Sequence, residues 1–160
     1  MGYPTYPEHP TRTVQRIYVA SSWRNHDQPM VVSALRTAGF AVYDFRHPKP
    51  DEYGFQWSAI DPYWEHWTGK AYREALTHPI AEAGFTNDFE AMQWADTCVL
   101  LLPSGRSAHL EAGWMAGTGR RVYVLMFDQQ EPELMNKLTT GICLSVAELI
   151  TSLRHVGSAS

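Results

Sequence analysis

Apolar and polar positions alternate along this chain in the rhythm of an α/β protein. Arg16 to Ala20 (RIYVA) is a short β-branched and apolar run, as a strand requires. A polar loop follows, and then Val31, Val32, Leu35 and Ala38 recur at helical spacing up to Gly39, with Asp27 as the expected cap and Pro29 in the first turn. Phe40 to Phe45 predicts a second strand. Thr97 to Leu102 is an uninterrupted apolar run ending at Pro103, the pattern of a strand covered on both faces. A helix is expected from about Ala108 to Thr118, closed by Gly117 and Gly119, before a fourth strand from Arg121 to Phe127. Leu134 to Leu138 reads as helical, Gly141 to Leu144 as a last short strand, and Ser145 as the cap of a final helix through Leu153.

Five strands alternating with helices predict a doubly wound, flavodoxin or Rossmann-like α/β fold with a mostly parallel sheet in the order 2-1-3-4-5. Two stretches depart from the rhythm. Residues 1–13 hold three prolines and no periodicity, and read as a loose arm before a single domain over 14–156. Residues 46–80 are broken by Pro48, Pro50, Pro62 and Pro79 and carry Trp57, Trp64 and Trp67, with a helix expected from about Trp64 to Leu76. An aromatic insert of this length is expected to act as a lid or binding loop. A further helix is expected from Asn87, its cap, to Ala95.

Composition narrows the classes. With 160 residues and 44% hydrophobic content the chain can bury one real core. Its formal net charge of -4, with no Lys/Arg cluster, argues against binding a nucleic-acid backbone. No apolar run reaches the length of a membrane span, and the first residues do not read as a signal peptide, so a cytoplasmic protein is expected. Cys98 and Cys143 fall in expected strands and read as reduced core residues. The seven histidines show no metal-ligand spacing, and no phosphate-binding glycine loop or nucleophile elbow is present, so no metal is expected.

In the 2-1-3-4-5 order, strands 1 and 3 flank the switch point where ligands bind. The loops after them, Ser21 to Asn25 and Pro103 to Ser107, then face each other across one crevice. Ser22, Arg24, Ser104 and Ser107 offer hydroxyls and a guanidinium in front of a helix N-terminus, which suits a phosphate; ordinary capping and loop solvation explain them equally well. Glu111 lies four residues after Ser107 on the same helix face, near the positive end of the dipole. An ionised glutamate there can attack an anomeric carbon, or simply stabilise its own helix start. Asp88 is drawn opening its helix, and Asp96 is a turn residue at the opposite end of the sheet.

Three segments, IYVASSW (17–23), TNDFEAMQWAD (86–96) and HLEAGWMAGTGRRVYVLM (109–126), resemble the nucleoside 2-deoxyribosyltransferase superfamily, which includes nucleoside 5'-monophosphate N-glycosidases. The resemblance covers most of residues 16–127. It implies that Glu111, in an E-x-G-W-x-x-G-x-G-[KR] pattern, is the nucleophile forming a covalent glycosyl-enzyme. It implies that Tyr18 orients that carboxylate and that Asp88 helps protonate the leaving base. It also implies a homodimer or larger assembly, with Glu133 to Asn136 reaching a neighbour's site, and no cofactor. Free-nucleoside enzymes of the family usually carry an acid in the loop before the glutamate. Here that loop is Ser104-Gly105-Arg106-Ser107, which suits a 5'-phosphate. The expected substrate contacts are therefore Ser21, Ser22, Trp23, Arg24, Ser104, Gly105, Arg106 and Ser107, with Phe45, Trp57 and Trp64 available to stack on the base or, equally, to pack in the core. The expected activity is cleavage of the N-glycosidic bond of a nucleoside monophosphate or nucleoside, with water or another base as acceptor. A TIR-like NAD-cleaving domain, whose Ser-x-x-x-Glu setting Ser107 and Glu111 mimic, and a non-catalytic nucleotide-binding module are the competing expectations.

Overall fold

A computed structural model describes residues 14–155. The expected N-terminal arm and Val156 lie outside the described residues. Five parallel strands form one sheet in the order β2-β1-β3-β4-β5: β1 Arg16–Ala20, β2 Ala41–Tyr43, β3 Thr97–Leu101, β4 Arg121–Leu125 and β5 Gly141–Cys143. The expected order is the observed one. β3 is buried along its whole length, which is why its sequence is a continuous apolar run.

Strand alternation assigns each side chain of β1 to a face. Ile17 and Val19 join Val31, Val32 and Leu35 of α1 (Gln28–Thr37) and Leu149 and Leu153 of α5 (Val146–Arg154). Tyr18 and Ala20 turn to the other face, with Met92 of α3 (Pro79–Trp94) and Ala108, Ala112 and Met115 of α4 (Arg106–Gly117). Gly39 and Gly119 adopt φ of +99° and +83° at the ends of α1 and α4, which a side chain disfavours. Cys98 and Cys143 are unpaired and buried in the core. No helix of the described residues is long and apolar enough to cross a membrane.

Four local expectations are corrected. α3 begins at Pro79, with the His78 ring accepting from the Ile80 N–H, so Asn87 is mid-helix and no cap. Proline at the first helical position outweighs the modest helix preference of Gly84 and Thr86. The helix expected over 64–76 is instead a 3-10 turn, Trp64–His66, followed by α2 (Gly69–Ala75), because Trp67 turns extended and Thr68 starts a new helix by accepting from Ala71 N–H. Asp27 occupies the cap position of α1 but its side chain caps nothing. Leu134–Leu138 is a 3-10 helix and not an α-helix. The Ser145 cap forms as expected, accepting from Glu148 N–H at 3.1 Å.

Candidate active site

The parallel register places Tyr18 of β1 directly beside Tyr43 of β2. Both point to the α3/α4 face, and their rings stack at 5.4 Å and 13°. The Tyr43 hydroxyl donates to Asp88 Oδ1 at 2.8 Å. The Tyr18 hydroxyl hydrogen-bonds Glu111 and favours its charged form. Two strands and two helices thus bring Tyr18, Tyr43, Asp88 and Glu111 into one cluster, although Asp88 and Glu111 are far apart in sequence.

Both acids occupy the apolar stripe of their helices. On α4, Glu111 falls between the buried Ala108, Ala112 and Met115; on α3, Asp88 falls between Ala81 and the buried pair Ala91 and Met92. A carboxylate on a sheet-facing stripe is a signal that helical spacing alone provides. Glu111 therefore sits in the second turn of α4, away from the free N–H groups, and is not a helix-start residue. Burial, then the nearby Asp88 charge, push Glu111 up to about 8 against the pull of Tyr18. Burial raises Asp88 to about 6, against the hydrogen bond from Tyr43. Burial and the two carboxylates hold the phenols of Tyr18 and Tyr43 far above their ordinary range, so both remain donors.

α3 and α4 are locked together behind this cluster. Trp114 lies edge-on to Phe89 at 5.2 Å, and the Arg120 guanidinium covers the Trp114 ring at 5.2 Å. Arg120 also donates to the carbonyls of Ala95 and Gln93 at 2.8 and 3.0 Å. The basic residue that ends the glutamate motif is thereby a clamp on the helix that carries Asp88.

The two polar loops meet as expected. Ser21 Oγ donates to Leu101 O at 3.0 Å, and the buried Asn25 side chain donates to Pro103 O at 3.0 Å. Ser22 Oγ accepts from Arg24 N–H at 3.2 Å. Arg24, Gly105, Arg106 and Ser107 are exposed, while Ser104 is partly covered and lies 3.5 Å from His109 Nδ1, which also contacts Gly105 O at 2.9 Å. Phe45 meets the exposed Trp23 edge-on at 5.4 Å. Trp57 packs edge-on against Phe55, Trp67 and Tyr72 inside the insert. The sequence reading missed Tyr43, Arg120 and Arg46, the last of which binds the loop after β1. Tyr43 was within reach of inspection, since strand alternation pairs it with Tyr18; Arg46 had no linear signal.

No family model and no curated protein sequence matches the chain. Solved structures do. A 2-deoxyribosyltransferase from Bacillus psychrosaccharolyticus superposes with a TM-score of 0.59 at 20% identity, covering 84% of this chain and 89% of that one. The chain has the 2-deoxyribosyltransferase fold. A CMP N-glycosidase of Clostridium botulinum follows the same path with a TM-score of 0.50 at 13% identity, over 88% of this chain and 99% of that one. A conserved protein of Enterococcus faecalis V583 does so with a TM-score of 0.55 at 16% identity, over 89% and 98%. The shared fold spans 89 to 99% of the length of each neighbour.

Proposed function

We propose that this protein belongs to the nucleoside 2-deoxyribosyltransferase superfamily and cleaves the N-glycosidic bond of a nucleoside 5'-monophosphate, or of a nucleoside, through a covalent glycosyl-Glu111. The observation that carries this reading is the four-residue cluster in which each carboxylate has its own tyrosine donor. The bond broken and the sugar carried over correspond to the activities named for two of the structural neighbours.

The chemistry follows from one proton shared by two acids. At rest the shared proton sits on Glu111, the group raised further. In the reactive form it sits on Asp88, so the Asp88 charge no longer raises Glu111, burial alone still does, and the Tyr18 hydrogen bond favours the Glu111 anion. A Glu111 oxygen then attacks the anomeric carbon as the C–N bond breaks, and the bonding pair leaves with the base nitrogen, which takes the Asp88 proton. The product is a glycosyl ester on Glu111. In the second half, Asp88, now ionised, takes a proton from water as its oxygen attacks the same carbon and frees Glu111. A base nitrogen in place of that water makes the protein a transferase.

A panel of ribo- and deoxyribonucleosides and their 5'-monophosphates, assayed for free base with and without a second base, tests the reading. Base release that disappears in Glu111→Ala supports it. An absence of base release across the panel, or a fully active Glu111→Ala, refutes it.

A further inference from the structure

The guanidinium of Arg46 is wrapped by the loop that follows β1. Its Nη2 donates to the backbone carbonyls of Ser22, Trp23 and Asn25 at 3.2, 3.0 and 2.8 Å. The rings of Trp23 and Phe45 lie against it, at 5.3 and 5.9 Å from the guanidinium carbon. The backbone of Arg46 is itself held. Its N–H donates to the buried Asp44 at 2.9 Å, and its carbonyl accepts from Gly54 N–H at 2.9 Å. Asp44 in turn accepts from the fully buried Gln28 side chain at 2.8 Å. An arginine so placed is a fixture of the loop and not a solvated surface charge.

The direction of those three carbonyls has a chemical result. In a trans peptide the C=O of one residue and the N–H of the next point in opposite directions. Drawing the carbonyls of residues 22, 23 and 25 toward Arg46 therefore turns the N–H groups of Trp23, Arg24 and His26 away from it. The Arg24 N–H is satisfied by Ser22 Oγ. Among the described residues, those of Trp23 and His26 have no hydrogen-bond partner. Arg46 follows β2, which lies on one flank of β1, whereas β3 and its loop lie on the other flank. The freed N–H groups point away from the Arg46 guanidinium. The buried Asn25 ties the β1 loop to Pro103, at the head of the Ser104–Ser107 loop. Backbone N–H groups bared together in a loop make an anion-binding concavity.

We infer that Arg46 is a positioning residue that determines specificity: by gathering the loop carbonyls, it turns the β1 loop into a site for the 5'-phosphate of the substrate. The inference rests on the proposed glycosidase reading for its substrate, and on the loop geometry alone for its anion. Arg46 touches no substrate in this role. It sets which face of the loop the substrate meets.

The test compares Arg46→Met, which keeps the stem and loses the fork, and Arg46→Lys, which keeps the charge, with the native protein. Two measurements are made on each: calorimetric binding of ribose 5-phosphate and of ribose, and kcat and KM for a nucleoside monophosphate and its parent nucleoside. Arg46→Met is expected to weaken ribose 5-phosphate and raise the monophosphate KM about tenfold, the scale of one charge-assisted hydrogen bond, with kcat within about threefold. Ribose and the nucleoside change little, so the preference for phosphate falls, and Arg46→Lys restores part of it. A variant that loses nucleoside and monophosphate alike, or that keeps the native preference, overturns the inference. So does a native protein that binds ribose 5-phosphate no better than ribose. If ribose 5-phosphate binding follows Arg46 while no nucleotide is cleaved, the anion site stands and the glycosidase reading falls.

Discussion

The rings of Tyr18 and Tyr43 stack face to face at 5.4 Å, and each hydroxyl serves a different carboxylate, Glu111 for Tyr18 and Asp88 for Tyr43. The stack comes from strand register, so the spacing of the two donors is set by the sheet and not by a loop. It lets the protein treat two nearby acids differently. The Tyr43 donor lowers the Asp88 pKa. Tyr43→Phe removes that pull, so Asp88 keeps its proton to higher pH. With Asp88 as the acid, the rate falls as pH rises and the proton is lost. The alkaline limb of kcat/KM is expected to move up by about one unit in Tyr43→Phe, the size of one hydrogen bond to a charged group. A pH–rate profile of the two proteins checks this, and an unmoved limb removes Tyr43 from the acid's environment.

Glu111 links activity to stability. Its pKa in the fold, about 8, stands above the ordinary 4.5 because burial penalises the charge. The folded state then binds more protons than the unfolded state between those values. Stability conferred by the neutral carboxyl is complete below 4.5 and is lost as pH rises through 8. Glu111→Gln, neutral at every pH, is expected to raise Tm over the native protein at pH 8.5 and to match it near pH 4. The same substitution is expected to cost at least ~1000-fold in turnover, since the covalent step has no other nucleophile. Thermal melts across pH and a single-turnover assay measure the two effects on one sample. Equal Tm differences at both pH values count against a raised Glu111 pKa in the fold.

The sheet order and the meeting of the loops after β1 and β3 were legible because they follow from local periodicity and strand count, and the buried run over β3 left little choice. The identity of the nucleophile was legible only with help from a motif, since Glu111 alone resembles any acid early in a helix. Asp88 was misplaced because Asn87 offers a good cap, while the true start lies upstream, where the His78 ring caps the helix and Pro79 opens it, and histidine is not a common cap. Arg46 was invisible because its partners lie more than twenty residues away and are backbone carbonyls, which carry no side-chain signature. Tertiary backbone contacts of this kind leave no periodicity to read.

The insert is held to the site by two glycines. A Cβ on Gly84 of α3 would sit 2.7 Å from Phe55 Cβ, and one on Gly54 would collide with the Phe45 carbonyl oxygen. Phe55 O also accepts from the Trp23 indole at 3.1 Å, so displacing the insert pulls on the β1 loop. Gly54→Ala meets backbone, which cannot yield as a flexible side chain can, and is expected to destabilise by about 1–3 kcal/mol. Gly84→Ala, on an α-helix facing a side chain, is expected to cost less stability and to act mainly by raising KM. Denaturant unfolding with parallel kinetics tests the ordering. A Gly54→Ala protein with native stability and KM shows that the insert does not dock through this contact.

Asp88 is the residue whose role can be separated most cleanly from its place in the fold. It is partly covered, raised to about 6, and held by a tyrosine, which suits a group that carries a proton at neutral pH for part of each cycle. Asp88→Asn keeps the shape and the Tyr43 contact but has no acidic proton to give. If Asp88 protonates the departing base, the loss should depend on how much that base needs a proton. For a base with a poor leaving nitrogen, the loss is expected at about 100- to 10,000-fold, the usual range of general-acid catalysis. For a nucleoside analogue whose base departs readily as an anion, it is expected to shrink to about tenfold or less. A purely structural Asp88 lowers both rates by the same factor. Plotting the Asn/Asp rate ratio against leaving-group pKa distinguishes the two: a sloped line assigns the proton to Asp88, and a flat one withdraws it.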